Sequence, residues 1–208
     1  MRTYQRLRIE GGCYFFTVNL AERHSNDLLV RHIDGLREAL RTTMHDHPFS
    51  IDAMVVLPDH LHCIWQLPPG DDDYSKRWRL IKARFSRRVD RGELISASRQ
   101  RKGERGIWQR RYWEHAIRDE QDYQRHVDYI HYNPVKHGHV QAPHEWPHSS
   151  FARWVERGMY PANWAAGPEV DECEWEWHEQ LGFPLPAQSQ RGGNLGCVIS
   201  PAYNSMPT

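Results

Sequence analysis

The sequence contains few cysteines, and they are spread along the chain. The four residues are Cys13, Cys63, Cys173 and Cys197, and no two of them form a CxxC pair. A small secreted domain held by disulfides would need more cysteines at closer spacing, so this class of protein is excluded. The pattern predicts free thiols in a reducing compartment.

Long apolar runs are also missing. No run approaches the roughly 18–20 residues that a membrane-spanning helix requires. The opening segment, MRTYQRLRIEGG, lacks the apolar stretch of a secretory signal. We therefore expect a cytoplasmic location and no membrane partner.

The chain has no net charge, because 27 Lys and Arg residues balance 27 Asp and Glu residues. Taken alone, this balance argues against a polyanionic partner. The charges are segregated, however, since residues 76–111 contain 14 basic and only 3 acidic residues. Trp78, Phe85 and Trp108 are interleaved with these cations, which is typical of an electrostatic groove with stacking platforms for nucleic acid. The alternative is a solvated helix face.

Hydrophobic periodicity predicts seven elements of secondary structure. They are a strand at 13–20, a helix from about 28 to Asp46, strands at 49–57 and 60–67, a helix with Trp78, Ile81, Phe85 and Val89 as its apolar stripe, a strand at 108–118 and a helix from Asp119 to about Asn133. The short connection at Pro58-Asp59 implies an antiparallel hairpin. The order predicts an α+β sandwich with a central antiparallel sheet and packed helices.

The composition changes after about residue 165, where the chain becomes acidic and aromatic. We predict one domain over residues 1–164 and an appendage over 165–208. The appendage is partly disordered, packs on the domain, or mimics DNA with its acidic residues and shields the basic segment.

His60 and His62 lie on a predicted strand, so their side chains share one face. Leu61, Cys63 and Trp65 take the opposite face, which has the composition of a core. Two neighbouring imidazoles can hold a divalent cation. In a chain with 14 histidines, a chance surface pair is the alternative, and the two interpretations stand about even. A zinc site that includes Cys63 is disfavoured, because this thiol faces away from both histidines.

Helix phase places Tyr129 and Asn133 at the border of the packed face of the last predicted helix. Tyr132 points nearly opposite to the apolar stripe of that helix. A deprotonated tyrosine hydroxyl can attack a phosphodiester that a metal ion polarises, and it can leave again as a phenolate. The alternative is that Tyr129 only packs, and helix phase by itself favours that role.

These features occur together in a known pattern. The stretches GGCYFFTVNL, VVLPDHLHCIWQLP, WRLIKARFSRR, GIWQRRYWEHAIRDEQDYQRHVDYIHYNPVKHGHV and EWPHSSFARW resemble the REP-associated tyrosine transposases, a branch of the single-tyrosine HUH transposases. The resemblance implies a ferredoxin-like HUH endonuclease fold and metal-dependent cleavage and strand transfer on single-stranded DNA. It assigns metal binding to His60 and His62, the nucleophile to Tyr129 and the third metal ligand to Asn133, where the mobile branch usually carries Gln. The metal ion would be Mg²⁺ or Mn²⁺.

The resemblance also implies a DNA partner: hairpins of repetitive extragenic palindromes, cut at a short flanking tetranucleotide and joined covalently to the tyrosine through a 5′-phosphate. The side chains expected to hold this DNA are Arg77, Arg79, Lys82, Arg84, Arg87, Arg88, Arg110 and Arg111. A monomer is expected, with a dimer as the alternative.

Two further hypotheses keep the same scaffold: a nuclease that uses activated water, and a binding module without catalysis. Four other polar residues receive no role from the sequence. We expect Thr17 and Asn19 to be ordinary sheet residues and His115 and His126 to lie at the surface.

Deleting residues 165–208 tests whether the acidic appendage weakens the field of the basic segment. The deletion removes one basic and six acidic residues, which leaves a net charge of +5. We expect stronger nonspecific DNA binding at low salt, measured by fluorescence anisotropy. An unchanged affinity would show that the appendage contributes nothing measurable to the field.

Overall fold

The computed structural model describes residues 6–164 except 93, 94 and 96, so the predicted appendage at 165–208 lies outside the described residues. Its four strands are β1 (Cys13–Asn19), β2 (Ser50–Val56), β3 (His60–Gln66) and β4 (Trp113–Ala116). The helices are α1 (Leu28–Arg31), α2 (Ile33–Asp46), α3 (Tyr74–Arg88), α4 (Ala97–Arg101), α5 (Glu120–Lys136) and α6 (Phe151–Glu156), with a 3₁₀ turn at Pro143–Glu145.

The strands form one antiparallel sheet in the order β2-β3-β1-β4. With helices α2 and α3 following β1 and β3, and α5 following β4, this is the ferredoxin-like arrangement. The predicted α+β class, the central antiparallel sheet and the hairpin of β2 and β3 are confirmed.

One face of the sheet carries the main hydrophobic core. Tyr14, Phe16 and Trp65 project to this face and pack against α2 and α3. The rings of Trp65 and Trp78 stack with their centroids 4.2 Å apart. Each fully buried side chain of this size contributes about 1.5–3 kcal/mol to folding. This layer is therefore the stable base on which the other face is built.

Helix α5 covers the opposite face, where it packs against β2 and β3. Alternation along β1 sends Phe15 to this face, and its ring contacts those of His62 and Tyr129. The segment after α5 returns along the edge of β2, where Val55 forms an isolated bridge with Ser149. Helices thus cover both faces of the sheet, and the predicted site residues lie on the face that α5 covers.

Helix α5 is longer than predicted. We expected it to end near Asn133 because Pro134 disfavours helical geometry in the residue before it, but the helix continues to Lys136. Its end is a Schellman cap: Gly138 has φ of 69° and donates to Val135, and His139 donates to the carbonyl of Pro134. The glycine, not the proline, decides where this helix stops.

Two other predicted elements also differ. The first predicted helix is interrupted at His32, which separates α1 from α2. The predicted strand at 108–118 is reduced to β4, although Trp108 forms an isolated bridge with Leu20. Gln109 donates its backbone N–H to Asn19, so this segment follows β1 without a continuous ladder.

The N-terminal half of α5 is tied to β4 by the buried carboxylate of Asp122. One of its oxygens lies 2.8 Å from Nε2 of His115 and 3.0 Å from Nε of Arg118, and the other lies 3.3 Å from Nδ1 of His126. Burial raises the pKa of Asp122, but the bonds from the two histidines and Arg118 outweigh burial and hold it well below its usual range. The prediction that His115 and His126 lie at the surface is wrong, because both complete this buried network.

The substitution Asp122→Asn tests this tie. We expect it to lower the free energy of unfolding at pH 7 by about 2–4 kcal/mol, because the hydrogen-bond donors of His115, His126 and Arg118 lose their buried anionic acceptor. The pKa of Asp122 is lower in the folded chain, so the difference should persist above about pH 5 and shrink as the pH falls below about 4.

Urea unfolding followed by circular dichroism measures the effect. The matched control is Asp34→Asn, which changes an aspartate of α2 whose side chain is 91% exposed. An equal loss of stability in the two variants would contradict the role of Asp122.

Candidate active site

His60 and His62 lie side by side on β3, with their ring centroids 5.0 Å apart. Nδ1 of His60 lies 2.7 Å from the Asp59 carboxylate, and Nδ1 of His62 lies 2.9 Å from the hydroxyl of Thr17. A carboxylate only accepts hydrogen bonds, so Nδ1 of His60 donates and Nε2 holds the lone pair in the neutral ring. This arrangement orients an imidazole in the way that metal-binding histidines require.

Several buried polar atoms on this face have no hydrogen-bond partner in the described part of the chain. They are Nε2 of His60, Nε2 of His62 and both side-chain amide atoms of Asn133. A buried polar atom without a partner costs about 1–3 kcal/mol. Imidazole nitrogens and amide oxygens are common ligands of divalent cations. The residues present therefore fit the metal ion that the sequence resemblance implies.

Tyr129 lies beside the histidine pair and is 7% exposed. Its ring centroid is 5.1 Å from that of His62, and Nζ of Lys136 lies 5.4 Å from the Tyr129 ring centroid. Asn133 follows one turn later on α5 and is fully buried. Tyr132 takes another side of the helix, where its ring meets that of Trp164. The structure thus brings His60, His62, Tyr129 and Asn133 to the interface of α5 and β3.

The electrostatics of the site keep His62 and His137 neutral and the Asp59 carboxylate ionised. Burial lowers the pKa of His62 well below its usual value, and the neighbouring His60 lowers it further. Burial also lowers the pKa of His137, the residue after α5, to about 4. Burial raises the pKa of Asp59, but hydrogen bonds from His60 and Arg23 outweigh it and hold the pKa well below normal. A neutral imidazole offers the lone pair that a metal ion needs.

Three residues of this site were missed or left without a role by the sequence analysis. Thr17 and Asp59 hold the histidine rings from behind. Asn19 is the partner of His60 in the β1–β3 register, and its side-chain oxygen is buried without a hydrogen-bond partner. The cross-strand pairing supplies the missing signal, because Thr17 and Asn19 can be placed only once β1 is known to pair with β3.

The predicted DNA-binding helix, α3, lies on the opposite face of the sheet from this site. Trp78 of α3 packs against Trp65, whose side chain points away from His60 and His62. Arg77 is 3% exposed and its guanidinium binds the Asp71 carboxylate and backbone carbonyls, so its assignment to DNA binding is wrong. It sits on the buried side of α3, where the cation needs internal partners.

The other predicted DNA contacts divide into engaged and exposed side chains. Lys82 is half-buried over the rings of Trp108 and Tyr112, and burial lowers its pKa to about 8. Arg84 pairs with Asp46, and Arg110 pairs with Glu104. Arg79, Arg87, Arg88 and Arg111 are exposed. These exposed side chains can meet a large polyanion without rearrangement.

Neither Cys63 nor the second histidine cluster, formed by His115, Asp122 and His126, is a better candidate for the metal site. Cys63 is fully buried on the core face, away from His60 and His62. The atoms of His115, Asp122 and His126 lie within 4.8 Å of one another. The Asp122 oxygens already accept from His115, His126 and Arg118, so we assign this cluster to fixing α5.

Comparison with known proteins places this chain in one family. The family model described as "Transposase IS200 like" matches residues 14–133. The REP-associated tyrosine transposase of Escherichia coli (strain K12) is 50% identical over 165 residues, which cover 79% of this chain and 92% of that protein. A relative from Haemophilus influenzae is 43% identical over 171 residues, which cover 82% of this chain and 97% of that protein.

A solved structure supports the same placement. It is described as the REP-associated tyrosine transposase bound to a REP hairpin, and it matches 80% of this chain and 92% of its own with 49% identity and a TM-score of 0.68. The chain therefore belongs to the IS200-like transposase family, and within it to the REP-associated tyrosine transposases. It is a transposase enzyme. Within the residues that the structure describes, no helix combines the length and apolar composition needed to cross a membrane.

The substitution Thr17→Val tests the support of His62. It removes the hydroxyl that fixes Nδ1 while preserving the shape of the side chain. We expect Mn²⁺ affinity to fall about 10-fold, as is typical when the group behind a metal-bound histidine is lost. Titration calorimetry measures the affinity, and Thr42→Val on α2 is the matched control. Equal affinities for Thr17→Val and the unchanged protein would contradict this role.

Proposed function

We propose that this transposase cuts and rejoins single-stranded DNA at palindromic hairpins through a covalent 5′-phosphotyrosine link at Tyr129, with Mg²⁺ or Mn²⁺ as cofactor. The observation that carries the proposal is the placement of the Tyr129 ring 5.1 Å from the His62 ring. It is supported by the buried, unpartnered nitrogens of the histidine pair.

The metal ion would be held by His60, His62 and Asn133. When bound, such an ion polarises the scissile phosphodiester and stabilises the charge that develops on its oxygens. Asp59 and Thr17 keep the two imidazoles in place, so the site is organised before DNA arrives.

Tyr129 supplies the nucleophile. Its hydroxyl loses a proton and attacks phosphorus, and the bond between phosphorus and the 3′-oxygen of the upstream nucleotide breaks. That oxygen leaves and takes up a proton. The downstream DNA stays on Tyr129 through its 5′-phosphate. Attack by a 3′-hydroxyl reverses the step and releases the phenolate, so the energy of the phosphodiester is conserved for rejoining.

Hairpin DNA is the proposed substrate because the similar solved structure is described as bound to a REP hairpin. Exposed cations support it: Arg79, Arg87 and Arg88 on α3 and Arg111 before β4. Tyr112 faces α3 and the Trp113 ring faces Phe15, so residues 110 and 111 lie at the edge between the two sheet faces. A hairpin held on α3 would pass around this edge to reach Tyr129.

We propose that the chain acts as a monomer. His62 and Tyr129 come together within a single chain, so these residues need no contribution from a second copy. The cytoplasmic location expected from the sequence stays a prediction.

The nucleophile assignment is tested with Tyr129→Phe and its matched control Tyr132→Phe. Hairpin DNA with flanking single strands, labelled at its 3′ end, is incubated with each protein and Mn²⁺. Because the downstream fragment stays on the nucleophile, the label should migrate with the unchanged protein and with Tyr132→Phe on a denaturing gel. Tyr129→Phe should form no adduct and cut at least about 10³-fold more slowly, since the attacking atom is lost.

Two outcomes would favour the other hypotheses. A free 5′-phosphate product that Tyr129→Phe forms at the normal rate would indicate a nuclease that uses water. Salt-sensitive hairpin binding without cleavage in Mg²⁺ or Mn²⁺ would indicate a binding module.

A further inference from the structure

The segment just after α5 is unusually rich in aromatic residues. Residues 137–148 read HGHVQAPHEWPH and contain four histidines and one tryptophan. Neither the core nor the proposed chemistry accounts for this composition. In the structure, four of these side chains form a row, which we call the aromatic row: His137, His139, Trp146 and His148.

The aromatic row begins at the active site and leads away from it. The ring centroid of His137 is 5.2 Å from that of His60. The centroid of His139 is 6.2 Å from that of His137 and 5.2 Å from that of Trp146, with the ring planes inclined by 30° and 26°. His148 meets Trp146 edge-on at 5.7 Å. The row is therefore continuous with the histidine pair.

The backbone holds this row in place while leaving part of it open to solvent. The Schellman cap at Gly138 fixes the start of the row, and Nε1 of Trp146 donates to the carbonyl of Val56 at 3.0 Å. His139 nevertheless stays exposed, and Trp146 is half-buried. Rigid aromatic rings that are fixed at one side and open at the other are typical of platforms for unpaired bases.

The charges around the row suit a nucleic-acid strand. Glu145 is the one acidic residue in the sequence 137–148. Its carboxylate accepts the backbone N–H groups of Gln141 and Ala142, so it is turned toward the chain. Lys136, the residue before His137, places its ammonium 5.4 Å from the Tyr129 ring centroid. The segment itself therefore contributes one carboxylate, which is partly engaged by the backbone, and a cation lies beside the proposed nucleophile.

We propose that the aromatic row binds the unpaired nucleotides that flank the scissile phosphate, by stacking of their bases on His139 and its neighbours. This proposal rests on the proposed function, because it assumes that the DNA is cut at Tyr129. The row supplies contacts to single-stranded bases, whereas the arginines of α3 and the β4 edge supply charge to the hairpin stem.

A purely structural row would predict a different result. If the rings only packed the segment against β2, truncation of His139 to alanine would lower the stability of the fold and would weaken the binding of all DNA ligands equally. Stacking on bases predicts a loss confined to ligands that carry unpaired nucleotides. The decisive quantity is therefore the ratio of two affinities: hairpin with an unpaired extension over blunt hairpin.

The experiment compares the full chain with His139→Ala, His139→Phe and the control His144→Ala, which alters an exposed histidine in the same segment. Binding is measured by anisotropy, in the presence of a chelator, with blunt palindromic DNA hairpins and hairpins extended by unpaired nucleotides at the 5′ or 3′ end. We expect His139→Ala to lower the affinity ratio about 5- to 20-fold, because loss of stacking weakens binding by this order per base. His139→Phe should restore the ratio, and His144→Ala should leave it unchanged.

A second readout reports stacking directly. A 2-aminopurine base in the extension should be quenched on binding to the unchanged chain and less so on binding to His139→Ala. An unchanged ratio and unchanged quenching in His139→Ala would overturn the proposal, provided that the blunt hairpin is bound. Adduct formation by the unchanged chain with Mn²⁺, assayed in parallel, tests the proposed function separately.

Discussion

The packing of Phe15 against α5 is the contact on which the candidate site depends. Its ring lies 5.5 Å from His62, 4.7 Å from His126 and 6.0 Å from Tyr129, measured between centroids. One aromatic side chain from the middle of the sheet therefore touches the proposed metal site, the buried tie and the proposed nucleophile. Because interiors are close-packed, a change in its volume would move Tyr129 relative to His62, and the site would lose its geometry before the fold lost its core.

Two groups of buried polar side chains lie on either side of Phe15, and their hydrogen bonding separates their roles. Around Asp122, both carboxylate oxygens accept donors from β4 and α5, so the network stabilises the helix position. The Nε2 atoms of His60 and His62 have no partner in the described chain, while their Nδ1 atoms are held by Asp59 and Thr17. Folding alone does not favour such half-satisfied groups. The first group therefore serves structure, and the second fits the metal ion that we propose for this site.

The side-chain periods of strands and helices explain what could be predicted from the sequence. Alternation placed His60 and His62 on one face and Cys63 on the other, and helix phase favoured Tyr129 over Tyr132; the structure has both arrangements. The same reasoning failed where the outcome depended on tertiary partners. Helix α3 has cations on several sides, so its sequence does not show that Arg77 is the buried one. The sequence around His115 likewise does not show that this histidine will pair in the interior with a carboxylate seven residues later. The length of α5 was also missed, because a glycine cap outweighed the proline.

The location of α3 changes how the charge pattern should be interpreted. The cations of α3 lie on one face of the sheet, and the histidine pair and Tyr129 lie on the other, where burial penalises charge and keeps His62 neutral. Arg79, Arg87 and Arg88 form a surface that can attract phosphates. If these cations lay beside the histidine pair, their positive charge would disfavour the binding of a metal cation there. The sheet separates them by one layer of packed side chains. A substrate that is double-stranded in one part and single-stranded in another suits this division, since its stem offers dense charge and its unpaired end offers bases and a reactive phosphate.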